Sequence, residues 1–207
     1  MAVARDDVLG ELRAGIGAID TYAGRMPDEG WATTACGDWT AAEVVAHVEA
    51  VSGWYHEWLD RAERGDASPA FTIEELPARN VEALRALPQA PPAAHVRAFV
   101  ASATAYADRL PTAWDLPYGY PRGTVTAGQH AALAAVEWHV HAWDLAQVLG
   151  VAHAPPHATV LAEAAAATWL AAQGNGPVAR VTATVEPHLA ERPRDPWGAL
   201  LRRMGRG

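Results

Sequence analysis

Four ionisable side chains crowd the stretch AVEWHVHAWDLAQVLG, residues 135–150. Glu137, His139, His141 and Asp144 stand within a run made mainly of Ala, Val, Leu and Trp. A helix this apolar is normally buried, and ionisable groups on a buried face are costly unless they are paired or bound to a metal. With an advance of ~100° per helical residue, His141 lies about 40° to one side of Glu137 and Asp144 about 20° to the other. His130, seven residues earlier, shares this line, whereas His139 falls nearly opposite. Glu137, His141 and Asp144 therefore form a stripe.

An E-x-x-x-H pair puts carboxylate and imidazole one turn apart on one face, so both can reach a single ion. A third ligand has to come from another helix. The best candidate is His47, set among Val44, Val45, Val48 and Val51. Two histidines and a glutamate with an open fourth position are a known catalytic zinc arrangement. Ferritin-like two-metal bundles use Glu-x-x-His instead. The one other inward pair at i, i+4 spacing, Glu43 and His47, is compromised because TAAE (residues 40–43) reads as a capping box that occupies Glu43. One metal is preferred over two.

Spacing alone leaves other readings open. Glu137 and His141 also suit a surface i, i+4 pair, and His47 also suits a hydrogen-bonded core histidine. Trp54, Trp58, Trp138 and Trp143 are most simply core or pocket wall. His56 falls on the outer face of its helix. His95, His153, His157 and His188 lie at helix ends or in loops and read as surface residues, as do Arg202, Arg203 and Arg206.

The elements that must position these groups follow from periodicity. Val8, Leu12, Ile16, Ile19, Ala23 and Met26 mark a helix over about 3–25. A second runs from Thr40 to about Arg64, stopped by Gly65 and Pro69. The segment TIEELPARNVEALRAL holds a short helix interrupted by Pro77. A third long helix enters through Pro91 and Pro92, and PTAWDLPYGYPRGTV is a Pro- and Gly-rich connection. The fourth spans about 126–149, with Gly150 in left-handed C-terminal position. A fifth covers about 157–173, then the alternating VARVTATVE reads as a strand and DPWGALLRRM as a last short helix. The fold class is mainly α: a four-helix bundle over 1–153, and a small C-terminal α+β extension over 154–207.

Composition narrows the function classes. The chain has 207 residues, half of them hydrophobic and 19% charged, enough for a sizeable core. Its net charge of −8 argues against a nucleic-acid partner. A single cysteine, Cys36, excludes an intramolecular disulfide and a cysteine-based zinc motif. No apolar run approaches the ~20 residues of a membrane span, and the N-terminal stretch carries acidic residues where a secretory leader is apolar. The expectation is a cytoplasmic protein with no membrane contact, monomer or homodimer, the Ala-rich face of the fifth helix packing within the chain or on a partner.

Two of these helices carry a family resemblance. DWTAAEVVAHVEAVSGWYHEWL and VEWHVHAWDLAQVLG resemble the two motif helices of mycothiol-dependent maleylpyruvate isomerase-like proteins, within the DinB-like superfamily of metal-binding bundles. The ending DPWGALLRRMGR resembles the family's closing Leu-rich segment and its Gly-Arg. The resemblance implies that His47, Glu137 and His141 are the zinc ligands, that Asp144 orients a ligand, and that mycothiol is the thiol cosubstrate. The isomerases also hold an acidic substrate with arginines, for which Arg79 is the nearest candidate, and they carry a fuller C-terminal domain.

A zinc-bound thiol is deprotonated, and a thiolate is the nucleophile of thiol chemistry. Cys36, in a loop without a histidine pattern, is a poor source, so an external low-molecular-weight thiol fits better. The expected function is attack of a zinc-activated mycothiol-type thiolate on an electrophilic small molecule, as S-transferase or cis–trans isomerase. Trp54, Tyr55 and Trp143 would wall the cofactor pocket and His130 would move a proton. The alternatives are zinc-water hydrolysis, a non-catalytic metal- or ligand-binding bundle, and a metal-free bundle in which Glu137 and His141 form an ion pair.

Overall fold

The computed structural model describes residues 4–173 and 195–206. The strand expected at VARVTATVE, together with His188, lies outside them. Four long helices form the body: α1 (Arg5–Ala23), α2 (Ala41–Glu63), α4 (Pro92–Ala113) and α5 (Ala127–Val148). Helix α1 packs against α5 and α4, and α2 packs against α4 and α5, closing a four-membered ring. The chain is mainly helical, as the spacing of its apolar residues requires.

Local chemistry sets the boundaries. Thr40 and Glu43 make the capping box that starts α2: the Glu43 amide donates to Thr40 Oγ1, and the Thr40 amide donates to Glu43 Oε2 at 2.8 Å. Thr126 and Gln129 cap α5 in the same way. Gly150 ends the α5 segment with φ +66°, the left-handed position where glycine has no Cβ penalty.

Several connections have more structure than their composition suggests. Pro77 stands in the first turn of α3 (Leu76–Ala86) and does not interrupt it, because an N-terminal amide has no intrahelical partner to lose. The Pro- and Gly-rich stretch after α4 folds as an antiparallel hairpin, β3 (Pro117–Tyr120) with β4 (Gly123–Thr126), turning at Pro121 and Arg122. A shorter pair, β1 (Thr34–Cys36) and β2 (Trp39–Thr40), leads into α2.

Helix α5 is the central element: 17 of its 22 residues are buried. Within it His130, Glu137, His139, His141 and Asp144 each have a hydrogen-bond partner on another element or on α5 itself. Helix α6 (Ala158–Gln173) lies on α5, and α7 (Pro196–Arg203) lies on α6. Leu161, Ala164, Ala165, Trp197, Leu200 and Leu201 join the same buried cluster as the bundle. The Ala-rich face of α6 is thereby covered, in part, by the chain itself. No helix among the described residues is long and apolar enough to cross a membrane.

Candidate metal centre and adjoining pocket

Helices α2 and α5 bring His47, Glu137 and His141 together, with one ligand-capable atom of each within 4.8 Å of the others. Both imidazole Nε2 atoms face the same carboxylate oxygen, Glu137 Oε1, His47 at 3.2 Å and His141 at 3.3 Å. Two ligands held at about 2.0–2.1 Å by a tetrahedral ion sit about 3.3–3.4 Å apart, so these separations suit a shared cation. The His141 Nδ1–H donates to Asp144 Oδ2 at 2.9 Å, which leaves Nε2 directed at Glu137. His47 is buried, its ring 4.7 Å from that of Trp39, and its Nδ1 has no partner in the protein. The donor set fits a divalent ion of the zinc type.

Electrostatics show how strongly this cluster accommodates positive charge. Burial pushes the Glu137 carboxyl up, but hydrogen bonds from His141 and His47 outweigh it and hold it well below the usual carboxylate range. Burial opposes charge on His141 too, yet the bonds to Asp144 and Glu137 raise it to about 9. His47 moves down, because burial dominates there.

Asp144 carries a second connection that spacing does not reveal. Arg206 grips it with two bonds, Nε to Oδ1 at 3.1 Å and Nη2 to Oδ2 at 2.8 Å. The guanidinium also donates to Cys36 Sγ at 2.9 Å and to the Met204 carbonyl oxygen at 2.7 Å. Arg206 is thus not a solvated terminal cation. Cys36, which has no histidine pattern beside it in the sequence, lies beside His141 and Asp144. Burial first, then the Asp144 charge, raise its thiol pKa and keep it protonated. With His141 Nδ1 already committed to Asp144, this second group is a hydrogen-bonded support for the first.

A cavity of about 250 Å³ adjoins the trio. His47 and Glu137 line it, with Trp54, Tyr55 and His130 from the same two helices. Burial pushes His130 down to about 3, so the imidazole stays neutral, and its Nδ1 lies 3.1 Å from the Tyr106 hydroxyl. Trp143, half-buried, does not line the cavity. Arg79 is half-exposed and paired with Glu82 at 3.1 Å, while its neighbour Asn80 does line it. Arg122, in the β3–β4 turn, is a lining residue that sequence reading missed. The alternation of Tyr118 and Tyr120 around a Pro-Arg-Gly turn was the available signal.

Of the remaining histidines, His56, His95, His139 and His153 are less exposed than their positions suggest. His56 meets the Ser102 carbonyl at 2.8 Å and His95 meets Glu49 at 2.6 Å, each half-buried between α2 and α4. His139 faces α1: its Nε2–H donates to the Glu11 carbonyl oxygen at 3.0 Å, and its Nδ1 lies 3.2 Å from His153 Nε2. His157, exposed, donates from Nδ1 to Glu11 Oε1 at 2.8 Å.

A family model described as the mycothiol maleylpyruvate isomerase N-terminal domain matches residues 12–146, a span that contains the trio and Asp144. Neither a curated protein nor a solved structure matches the chain.

Proposed function

Because the chain belongs to the mycothiol maleylpyruvate isomerase N-terminal domain family, we propose that it is a metal-dependent, thiol-using enzyme acting on an electrophilic small molecule. The observation that supports this most directly is the convergence of His47 Nε2, His141 Nε2 and Glu137 Oε1 at the mutual spacing of ligands around one ion. His47, Glu137 and His141 would hold a divalent ion, zinc by preference, which when bound would lower the pKa of a coordinated thiol to give a thiolate at neutral pH. Mycothiol is the thiol the family name points to. The reaction is an S-transfer to the electrophile or a cis–trans isomerisation followed by release of the thiol.

The chain's own residues hold and shape. Asp144 fixes the ring plane and tautomer of His141, and Arg206 holds Asp144. Trp54 and Tyr55 exclude water from one wall of the cavity. His130 is neutral and hydrogen-bonds at the far end; with a pKa near 3 it is too weak a base to take a proton at pH 7. Trp143 and Arg79 lie outside the cavity lining. A cytoplasmic location fits a reaction that uses an intracellular thiol.

Elemental analysis of protein purified without chelator, beside a His47→Ala, His141→Ala double variant, tests the centre. One metal per wild-type chain, lost in the variant, is the expected result, followed by product formation that requires added thiol. Turnover without any thiol would replace this reading with hydrolysis by metal-bound water. Ligand binding with no product under any condition would leave a binding protein.

A further inference from the structure

One imidazole of the cavity lies outside the candidate metal centre. His130 stands seven residues before Glu137 on α5, two turns along the same face and about 10 Å by rise. Tyr118 stacks on it with ring centroids 4.4 Å apart. Tyr55, Trp58, Tyr106 and Tyr120 meet it at 4.5, 5.6, 6.5 and 5.7 Å.

Its surroundings fix where its proton sits. Tyr106 is 0% exposed, and its hydroxyl lies 3.1 Å from His130 Nδ1. A buried O–H has to donate, and the nearby Tyr118 hydroxyl is already committed to the Tyr55 carbonyl oxygen at 3.3 Å. Tyr106 therefore donates to Nδ1, which leaves the ring proton on Nε2. Nε2 has no partner among the described residues. The Nε1 atoms of Trp58 and Trp138 also lack partners but are sealed in the core; His130 Nε2 is not sealed, and His130 lines the cavity. An N–H thus opens into the space beside the trio. The ring is neutral, because burial pushes its pKa down to about 3. A divalent ion at the trio would oppose a further positive charge nearby still more. A neutral imidazole keeps its proton while it donates to a forming oxyanion, and the bond from Tyr106 behind it strengthens that donation.

We propose that His130 is a catalytic residue whose Nε2–H donates to the carbonyl oxygen of the electrophile, and that the electrophile is a carbonyl compound conjugated to the carbon the thiol attacks. The proposal rests on the thiol-using reading above. The sulfur electron pair forms the C–S bond, the carbon–carbon π pair shifts to the adjoining bond, and the carbonyl π pair passes to oxygen. That oxygen becomes an enolate, and the Nε2–H bonds to it without giving up its proton. In S-transfer the carbon next to the carbonyl then takes up the proton that the thiol lost, and a conjugate forms. In isomerisation the pair returns after rotation, the double bond re-forms and the C–S bond breaks to release thiolate. Conjugation carries the charge from the attacked carbon toward the donor.

Nitrogen NMR of histidine-labelled, full-length protein at pH 7 should show His130 neutral with its proton on Nε2, and added cyclohexanone should shift that nitrogen. Turnover is then followed with mycothiol and two electrophiles: cyclohexenone, whose carbonyl takes the charge, and benzyl chloride, whose chloride leaves with it. Metal content is measured on the same samples. His130→Phe should lower kcat for cyclohexenone about 100–1,000-fold with KM little changed, and should leave benzyl chloride turnover and metal content unaltered. His130→Gln, which brings an amide N–H near the same place, should recover part of the loss. Should His130→Phe fail to fold, adding Tyr106→Phe removes the stranded hydroxyl as well, and the pair is read in the same way. A proton on Nδ1, a charged ring, no shift with cyclohexanone, or equal losses with both electrophiles overturns the proposal. Both electrophiles inert with thiol, while cyclohexanone still shifts Nε2, would remove the thiol-using reading and keep the donor. Thiol-dependent turnover of cyclohexenone untouched by His130→Phe would do the reverse.

Discussion

Replacing Arg206 by Met tests whether the last described residue of the chain supports the proposed metal centre. Asp144 is 0% exposed and accepts two bonds from Arg206. Hydrogen bonds to charged groups contribute about 1.5–3 kcal/mol each, and breaking a buried ion pair from one side costs about 3–5 kcal/mol. Asp144 keeps its bond to His141, and the Arg206 side chain is 17% exposed, which places the loss near the lower end, about 3 kcal/mol. At about 2–4 °C per kcal/mol for a domain of this size, the melting temperature should fall by about 6–12 °C. The second effect is local. Without Arg206, Asp144 no longer holds His141 as firmly, and loss of such an outer partner typically weakens metal affinity about 10–100-fold. Competition titration of zinc against a chromophoric chelator at 25 °C, where the variant is still folded, measures it. Arg206→Lys keeps the charge but cannot reproduce the two-toothed grip, so it should recover only part of both losses. A melting temperature that falls while zinc affinity stays within twofold of wild type would refute the reasoning and make Arg206 a staple for the C-terminal segment alone.

Other consequences are independent of the metal. Thr40→Ala removes the capping box of α2 and should cost about 1 kcal/mol in chemical denaturation, with the helix otherwise intact. Gly15→Ala puts a Cβ 2.8 Å from Trp138 Cβ, an atom fixed to the α5 backbone. Helices α1 and α5 then have to separate, and thermal melts should show a loss of about 1–3 kcal/mol. Glu11 is buried, and although burial pushes its carboxyl up, hydrogen bonds from His139 and His157 outweigh that and hold it below 4.5. Its contribution is present above pH 4.5 and is lost as pH falls through the lower folded value. Wild type should therefore exceed Glu11→Gln in stability at pH 6, and the margin should close on acidification below 4.5.

How much of this was legible in the sequence depended on the range of the contact. Helical periodicity exposed α1, α2 and α4 because each buries one continuous stripe, whereas α5, with 17 of its 22 residues buried, stood out as a long apolar run. Glu137, His141 and Asp144 sit within two turns, so their shared face could be worked out by rotation. His47 stood out only because an imidazole among valines needs a partner. The grip of Arg206 on Asp144 spans 62 residues and that on Cys36 spans 170. No local pattern encodes such a contact, and three arginines near a terminus look like a solvated end. The hairpin at 117–126 was obscured by its own proline and glycines, which signal a turn more loudly than the tyrosines beside them signal strands. The histidines at 95, 139 and 153 gained partners through packing between helices, which spacing along one helix cannot show.

The uneven burial of two of the helices that line the cavity separates its motions in time. Helix α3 contributes Leu76 and Asn80 to the lining, yet none of its residues is buried. Helix α5, opposite, has most of its residues in the core. Segments with few buried contacts open locally at small free-energy cost, whereas core helices exchange their amides only through global unfolding. Amide exchange should therefore be fast along α3 and slowest along α5. A small molecule can then enter and leave on the microsecond-to-millisecond clock of a surface helix, while Glu137 and His141 keep their positions for as long as the core stays folded.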